Sequence, residues 1–366
     1  MTVPNPTYPT SELISSATFD KFRCHRGDGD MWPITWADDG HLYGGAGDNM
    51  NSPMNIWRIM HEPTDIFKGT GWPVVAEMVH PKPVDPKLYC QRADLHPKNG
   101  VKPASILCIN GVLYLAVELH NYGDRPEFNR QCNIQSWIIT SIDYGLTWNL
   151  NATMEDFFTG RLASPHFIQF GKDYEGARDE YVYAYFPVGE DERSYWCNAD
   201  HLLLGRVSKY QMLDRASWAF FAGEKKNSDE AEWVSDDALA VPVFQYPLMT
   251  GENHISYNKG IGRYLMGNTS FIDMEGNPRP YHATNGWPDS IMRSQLTLFE
   301  APEPWGPWSL FHQDDNWGTY GDYQPSFPTK WISEDGLTLL MASSGSFDDY
   351  NLTLQKVVLQ LREQKR

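Results

Sequence analysis

Five segments of this chain repeat one pattern, a turn followed by a short apolar strand. They are Asp39-Gly40-His41-Leu42-Tyr43, Asn110-Gly111-Val112-Leu113-Tyr114, Asp179-Glu180-Tyr181-Val182-Tyr183, Gly262-Arg263-Tyr264-Leu265 and Asp335-Gly336-Leu337-Thr338-Leu339. Tyr43, Tyr114, Tyr183, Leu265 and Leu339 mark the copies at gaps of 71, 69, 82 and 74 residues, each near one fifth of the 366-residue chain. A period of that size signals a repeat architecture. Another strand-like segment precedes each landmark, at 32–36, 103–109, 165–170, 254–258 and 325–331, and a third follows at 55–60, 136–141, 201–207, 295–300 and 352–359. In three copies the turn carries Asp-Gly or Asn-Gly, the strongest short-range hairpin signal. Segments around Trp148, Trp218 and Trp308 supply a fourth strand in the middle copies.

This order of strands reads as a four-stranded antiparallel blade, and five of them as an all-β five-bladed β-propeller. One domain spans 1–366, with blades starting near 30, 101, 163, 252 and 323. The last copy ends after its third strand, so a strand near 15–19 is expected to close the last blade. Pro and Gly are spread evenly, which speaks against two domains joined by a linker.

Composition excludes several classes. With 30 basic and 47 acidic residues the formal charge is −17, against a nucleic-acid partner and against attachment to anionic lipid. Aromatics at 14% exclude disorder, and 29 Gly with 25 Pro disfavour a helical bundle. No run of 18 apolar residues exists, so no membrane-spanning helix is expected. The N-terminus has no basic-then-apolar leader, which leaves a cytoplasmic chain, or a secreted or periplasmic one with its signal removed. Five cysteines without a CxxC pair exclude a full disulfide framework. Nothing in the sequence indicates an oligomeric state.

The innermost strands of a propeller line a central funnel, so the residues at their entrances are the candidate site. These stretches are Asp30-Met31-Trp32-Pro33, Val101-Lys102-Pro103, Ala163-Ser164-Pro165, Glu252-Asn253-His254 and Tyr323-Gln324-Pro325. The residues at the level before the proline include Trp32, Lys102, Ser164 and Gln324, with Asn253 and His254 in the fourth copy. Asp30 and Asp48 lie nine positions either side of Asp39, so a hairpin turning there brings them together. Two carboxylates at one mouth are the minimal equipment for cleaving a glycosidic bond. Glu118 and His120 end the second inner hairpin, His166 enters the third copy, and Arg193 and Trp196 lie in the loop that follows. Asn268 ends the fourth hairpin, and Arg293 follows a loop containing Trp287. Trp32, Trp196, Trp287 and Trp317 are candidate platforms for sugar faces; packing between blades is the competing role. No metal site or cofactor is expected. Asp28, Asp30, Asp38 and Asp39 leave a structural calcium open, although no loop of calcium-binding spacing is present.

The stretch from Met31-Trp32-Pro33-Ile34-Thr35-Trp36 through Gly47-Asp48 resembles the five-bladed propeller glycoside hydrolases related to the endo-D-arabinanase family, formerly a domain of unknown function. Ser164-Pro165-His166-Phe167-Ile168-Gln169-Phe170 and Tyr257-Asn258-Lys259-Gly260-Ile261-Gly262-Arg263 are similar to further marks of that group. The resemblance implies two catalytic aspartates, at the positions of Asp30 and Asp48. The expectation is a glycoside hydrolase acting on a polysaccharide or oligosaccharide. Two alternatives stand beside it. A polysaccharide lyase would neutralise a uronate with Lys102, Arg193 or Arg293 and remove a proton with His120, His166 or a tyrosine. A non-catalytic carbohydrate-binding propeller would use the tryptophans alone.

Overall fold

The computed structural model describes residues 8–26, 29–49, 52–59, 76–78, 99–121, 132–149, 157–226, 228, 230–273, 275–278, 292–319, 322–344 and 352–363. The described part is all-β, with only short 3-10 turns besides strands, and holds no helix long and apolar enough to cross a membrane.

The strands form five antiparallel groups. The first runs Asp30–Trp36, Leu42–Asn49, Ser52–Ile59 and Ala76–Met78 in that order. The second holds Asn99–Ile109, Val112–Asn121, Cys132–Ser141 and Phe158–Thr159. The third holds His166–Phe167, Tyr181–Val188, Ala199–Ser208, Ala219–Glu224 and Ala231–Val234, with Phe244–Thr250 against Ala199–Ser208. A two-residue strand, Ser194–Tyr195, pairs with both the second and the third group and merges them into one eleven-stranded sheet. The fourth runs Ile255–Asn258, Arg263–Asp273, Met292–Ala301 and Ser309–Thr319. The fifth runs Tyr323–Ser326, Thr338–Ser344, Leu352–Leu361 and then Ile14–Arg26. Ile14 stands opposite Leu361 and Phe19 opposite Val357, so chain start and chain end share one sheet.

The repeated turn has a physical cause. In the first copy Asp39 accepts the His41 amide at 2.9 Å and the Tyr43 hydroxyl at 2.7 Å. In the third, Asp179 does the same for Tyr181 at 2.8 Å and Tyr183 at 2.6 Å. One aspartate thus closes the turn and anchors the tyrosine four residues on, which is why acid and aromatic recur together. Asn110 and Gly111 both have positive φ, 51° and 72°, as the tightest hairpin turn requires.

Neighbouring groups are tied at their inner strands. The Cys108 amide donates to Thr35 Oγ1 at 3.0 Å, and the Phe167 amide to Ser105 Oγ at 2.9 Å. Gln169 exchanges backbone hydrogen bonds of 3.0 and 2.9 Å with Ile255 and Tyr257. Asn258 Nδ2 donates to the Gly336 carbonyl at 2.9 Å. The Met31 amide donates to Ser344 Oγ at 3.2 Å, and Lys330 Nζ to the Gly40 carbonyl at 2.7 Å. These links run from the first group through the fifth and back to the first.

The inner strands are irregular where they begin. Register slips occur between Met31 and Ile34, between Pro103 and Ser105, and between Tyr323 and Ser326, each at or beside a proline. Proline offers no N–H to the ladder, so a bulge forms there and re-aims the preceding side chain. Met31, Trp32 and Gln324 accordingly have positive φ of 77°, 56° and 51°. The first slip corrects the hairpin arithmetic. Thr35 faces Tyr43 in the expected register, but beyond the bulge Asp30 faces Gly47, not Asp48.

Candidate active site

Two hydrogen-bonded groups of side chains sit where the inner strands begin. In the first, Asp30 Oδ1 lies 3.2 Å from Lys102 Nζ, and Asp30 Oδ2 accepts the Tyr323 hydroxyl at 3.0 Å. The lysine side chain is 3% exposed and the aspartate 11%, so the ion pair is screened little by water. Gly47 makes the room, since a Cβ there would stand 2.7 Å from Asp30 Oδ1 and 2.8 Å from Lys102 Cδ.

The second group centres on Glu252, which enters the fourth inner strand. Its Oε1 accepts Asn133 Nδ2 at 3.2 Å and Ser164 Oγ at 3.3 Å, and lies 3.9 Å from His120 Nε2. Its Oε2 accepts the amide of Gln324. His120 Nε2 is 2.5 Å from Glu118 Oε1, and Ser164 Oγ is 2.8 Å from His166 Nε2. Glu118, His166 and Glu252 each bring one ligand-type atom within 4.8 Å of the others, so this set could hold a cation; Asp38, Cys108 and Asp173 form a second such set elsewhere.

Burial sets the charges. It pushes the Glu118 carboxyl up to about 7. Glu252 is driven well above the usual carboxylate range by burial first and then by the negative charge of Glu118. Two buried carboxyls this close cannot both ionise, so the pair keeps a proton at neutral pH. Burial lowers His254 to about 4 and takes His166 well below the ordinary histidine range, helped by His254 and His120. Both rings, 5.3 Å apart, are neutral.

Trp196 joins the two groups as an apolar wall, its ring 5.7 Å from Tyr323, 6.5 Å from His120 and 5.9 Å from Phe271. Lys102, Glu118, His120, Ser164, His166 and Gln324 therefore lie in one connected set with Asp30. Asn253 and His254 follow Glu252 directly, both buried.

Other expected residues are elsewhere. Trp32 is 1% exposed, packs on Trp57 at 5.8 Å and donates its indole N–H to the Gly29 carbonyl at 2.8 Å; it is a packing residue, not a sugar platform. Asn268 is fully buried and braces backbone, donating to the Met249 carbonyl at 2.8 Å and accepting the Gly251 amide at 3.2 Å. It shapes the approach to Glu252 and offers nothing to a ligand. Arg193 is exposed on the turn between Tyr181–Val188 and Ser194–Tyr195, outside the cluster. Arg293 stands in Met292–Ala301, opposite Ile272. Trp317 packs against the core cluster of Leu296 and Phe311. Trp287 and the Asp48 side chain lie outside the described residues.

Glu252, Tyr323 and Asn133 are the members that the sequence pattern did not single out. Glu252 and Tyr323 stand one position ahead of the level read across the copies, and Glu252 is the only acid there.

No family model matches the chain, and no curated protein does. Solved structures do. A protein from Bacteroides ovatus ATCC 8483, suggested to be a hydrolase, is 13% identical at a TM-score of 0.51, covering 97% of this chain and 93% of that one. The two share a fold. Also similar are a xylan β-1,4-xylosidase from Bacillus halodurans C-125, 9% identical over 98% of this chain and 55% of that one at 0.46, and an α-L-arabinanase from Cellvibrio cellulosa complexed with arabinohexaose, 11% identical over 96% and 95% at 0.43.

Proposed function

We propose that this chain is a glycoside hydrolase built as a five-bladed β-propeller, with the five strand groups as blades and a saccharide as substrate. The chemistry of one observation carries the reading: a carboxylate held by an ion pair, Asp30, and a carboxyl driven to keep its proton, Glu252, lie at the same end of the inner strands. They are connected through consecutive residues, since Tyr323 bonds Asp30 and Gln324 bonds Glu252. Pairs of acids pushed to opposite protonation states are what bond cleavage between sugars needs.

In this mechanism Glu252 protonates the leaving oxygen. Asp30 acts at the anomeric carbon, directly or through water, and Lys102 and Tyr323 hold it in place. Glu118 is a positioning residue, its charge keeping the proton on Glu252. Trp196 offers the apolar wall for a sugar face. Asp48, one residue past the cross-strand partner of Asp30, is tested alongside as Asp48→Asn. The lyase alternative is weaker, because Lys102, its best uronate partner, is engaged by Asp30.

The test is release of reducing ends from a panel of plant and microbial glycans, with ultraviolet absorbance followed in parallel. Asp30→Asn and Glu252→Gln are each expected to lose about 100- to 10,000-fold in kcat while remaining folded. Full activity in both variants rejects the reading. An unsaturated uronate product would turn it to a lyase.

A further inference from the structure

A groove of about 760 Å³ lies between the outer strands of the third group and the 302–307 segment of the fourth. Neither Asp30 nor Glu252 lines it. His166 pairs with Tyr185, and the groove begins two residues further along that strand at Tyr183, about 7 Å at the rise of an extended chain, and extends to Asp179.

Its walls are aromatic. Trp233 and Trp305 are half-buried, 6.2 Å apart and nearly perpendicular at 78°. The Arg206 guanidinium lies over both the Tyr181 and Trp233 rings, its Cζ 4.1 Å from each ring centre. Its Nε finds no protein acceptor. Stacking on two rings fixes the plane of the guanidinium, which also hydrogen-bonds the Tyr183 side chain on the same wall. Glu224 is exposed on the same groove.

The charges around this groove are largely spent on one another. Arg178 forks onto Glu303 at 2.8 and 2.9 Å, Lys225 meets Glu230 at 2.8 Å, and Lys209 meets Glu180 at 2.8 Å. The surface thus offers one oriented guanidinium, carboxylates and indole faces with little net field. That balance suits an uncharged polyhydroxylated chain and neither a polyanion nor a polycation. Apolar sugar faces rest on indole, while adjacent hydroxyls donate to a carboxylate and accept from a guanidinium.

We infer that this groove is a second saccharide-binding surface, which holds a neutral polysaccharide chain away from the site of cleavage. The inference goes beyond the proposed hydrolysis and does not depend on it.

Affinity electrophoresis of the whole protein through gels containing soluble xylan, linear arabinan or β-glucan tests it. The wild type is expected to be retarded by at least one polymer. Trp233→Ala and Glu224→Ala are expected to weaken that retardation tenfold or more, while hydrolysis of short oligosaccharides is unchanged. Melting temperatures are read for both variants; Glu224→Ala removes an exposed side chain and keeps the packing that Trp233→Ala could disturb. No retardation of the wild type by any polymer overturns the inference, and so does equal retardation of wild type and Glu224→Ala. Asp30→Asn, run in the same gels, separates the two readings: it is expected to keep its retardation whether or not it loses hydrolysis.

Discussion

At Gly47 a single methyl group would decide whether Asp30 and Lys102 can meet. A Cβ there falls 2.7 Å from the carboxylate and 2.8 Å from the lysine stem, so one or both side chains must shift. Gly47→Ala is therefore expected to keep its melting temperature within a few degrees and to lose about a hundredfold in activity, as ångström-scale misplacement of a reacting group does. Glu118 makes a prediction of its own. In the folded chain it keeps its proton up to about 7, whereas an ordinary glutamate releases it near 4.5. The folded state therefore binds more protons over that window, and stability declines as pH rises through it. Glu118→Gln is expected to flatten that decline in melting temperature between about pH 5 and 8. Losing the like charge also lowers the proton affinity of Glu252, so the basic limb of the kcat/KM profile moves to lower pH. Asp30, Lys102, Glu118, His120, Ser164, His166 and Gln324 could be located from the chain alone, because strand entrances recur at a readable period. Glu252 and Tyr323 stand at the neighbouring level, and Asn133 in a third strand. Nothing local distinguishes a glutamate destined for full burial from one destined for solvent; that difference comes from the side chains of other groups.

Three of the inner strands, those of the first, second and fifth groups, are broken at a proline, and the break aims the side chains before it. Strand order and turn positions are legible because a turn residue, aspartate, asparagine or glycine, precedes a short apolar strand in every copy. The one-residue slip at Trp32-Pro33 is not legible: it depends on two consecutive residues, Met31 and Trp32, taking positive φ, which sequence pattern does not reveal. That slip separates a symmetric estimate, Asp30 against Asp48, from the observed partner, Gly47. Elements also meet backbone to backbone. A Cβ on Gly260 would collide with the main chain of Asp335 and Gly336, where the fourth and fifth groups touch. Gly260→Ala is expected to destabilise by about 1–3 kcal/mol, measured by chemical denaturation, with catalytic constants of the surviving folded protein unchanged.

The five groups make a circuit, and the strand Ile14–Arg26 completes the last of them. Deleting Ile14–Arg26 bares the ladder edge of Leu352–Leu361 and takes Ile14 out of the apolar cluster that holds Leu339 and Val357. The expected result is loss of soluble monomer in size-exclusion chromatography, since an open edge recruits other chains. A truncated chain that stayed monomeric would mean that the four remaining groups and three strands suffice. The same closure bears on time. Ser15 Oγ donates to the Gln360 carbonyl across a sequence separation of 345 residues. A ribosome extends the chain by about 5–20 residues per second, so the strand made first waits about 20 seconds or more for a partner made last. During that wait its backbone N–H and C=O groups are unpaired, and its neighbours in the cell meet it before its own sheet does.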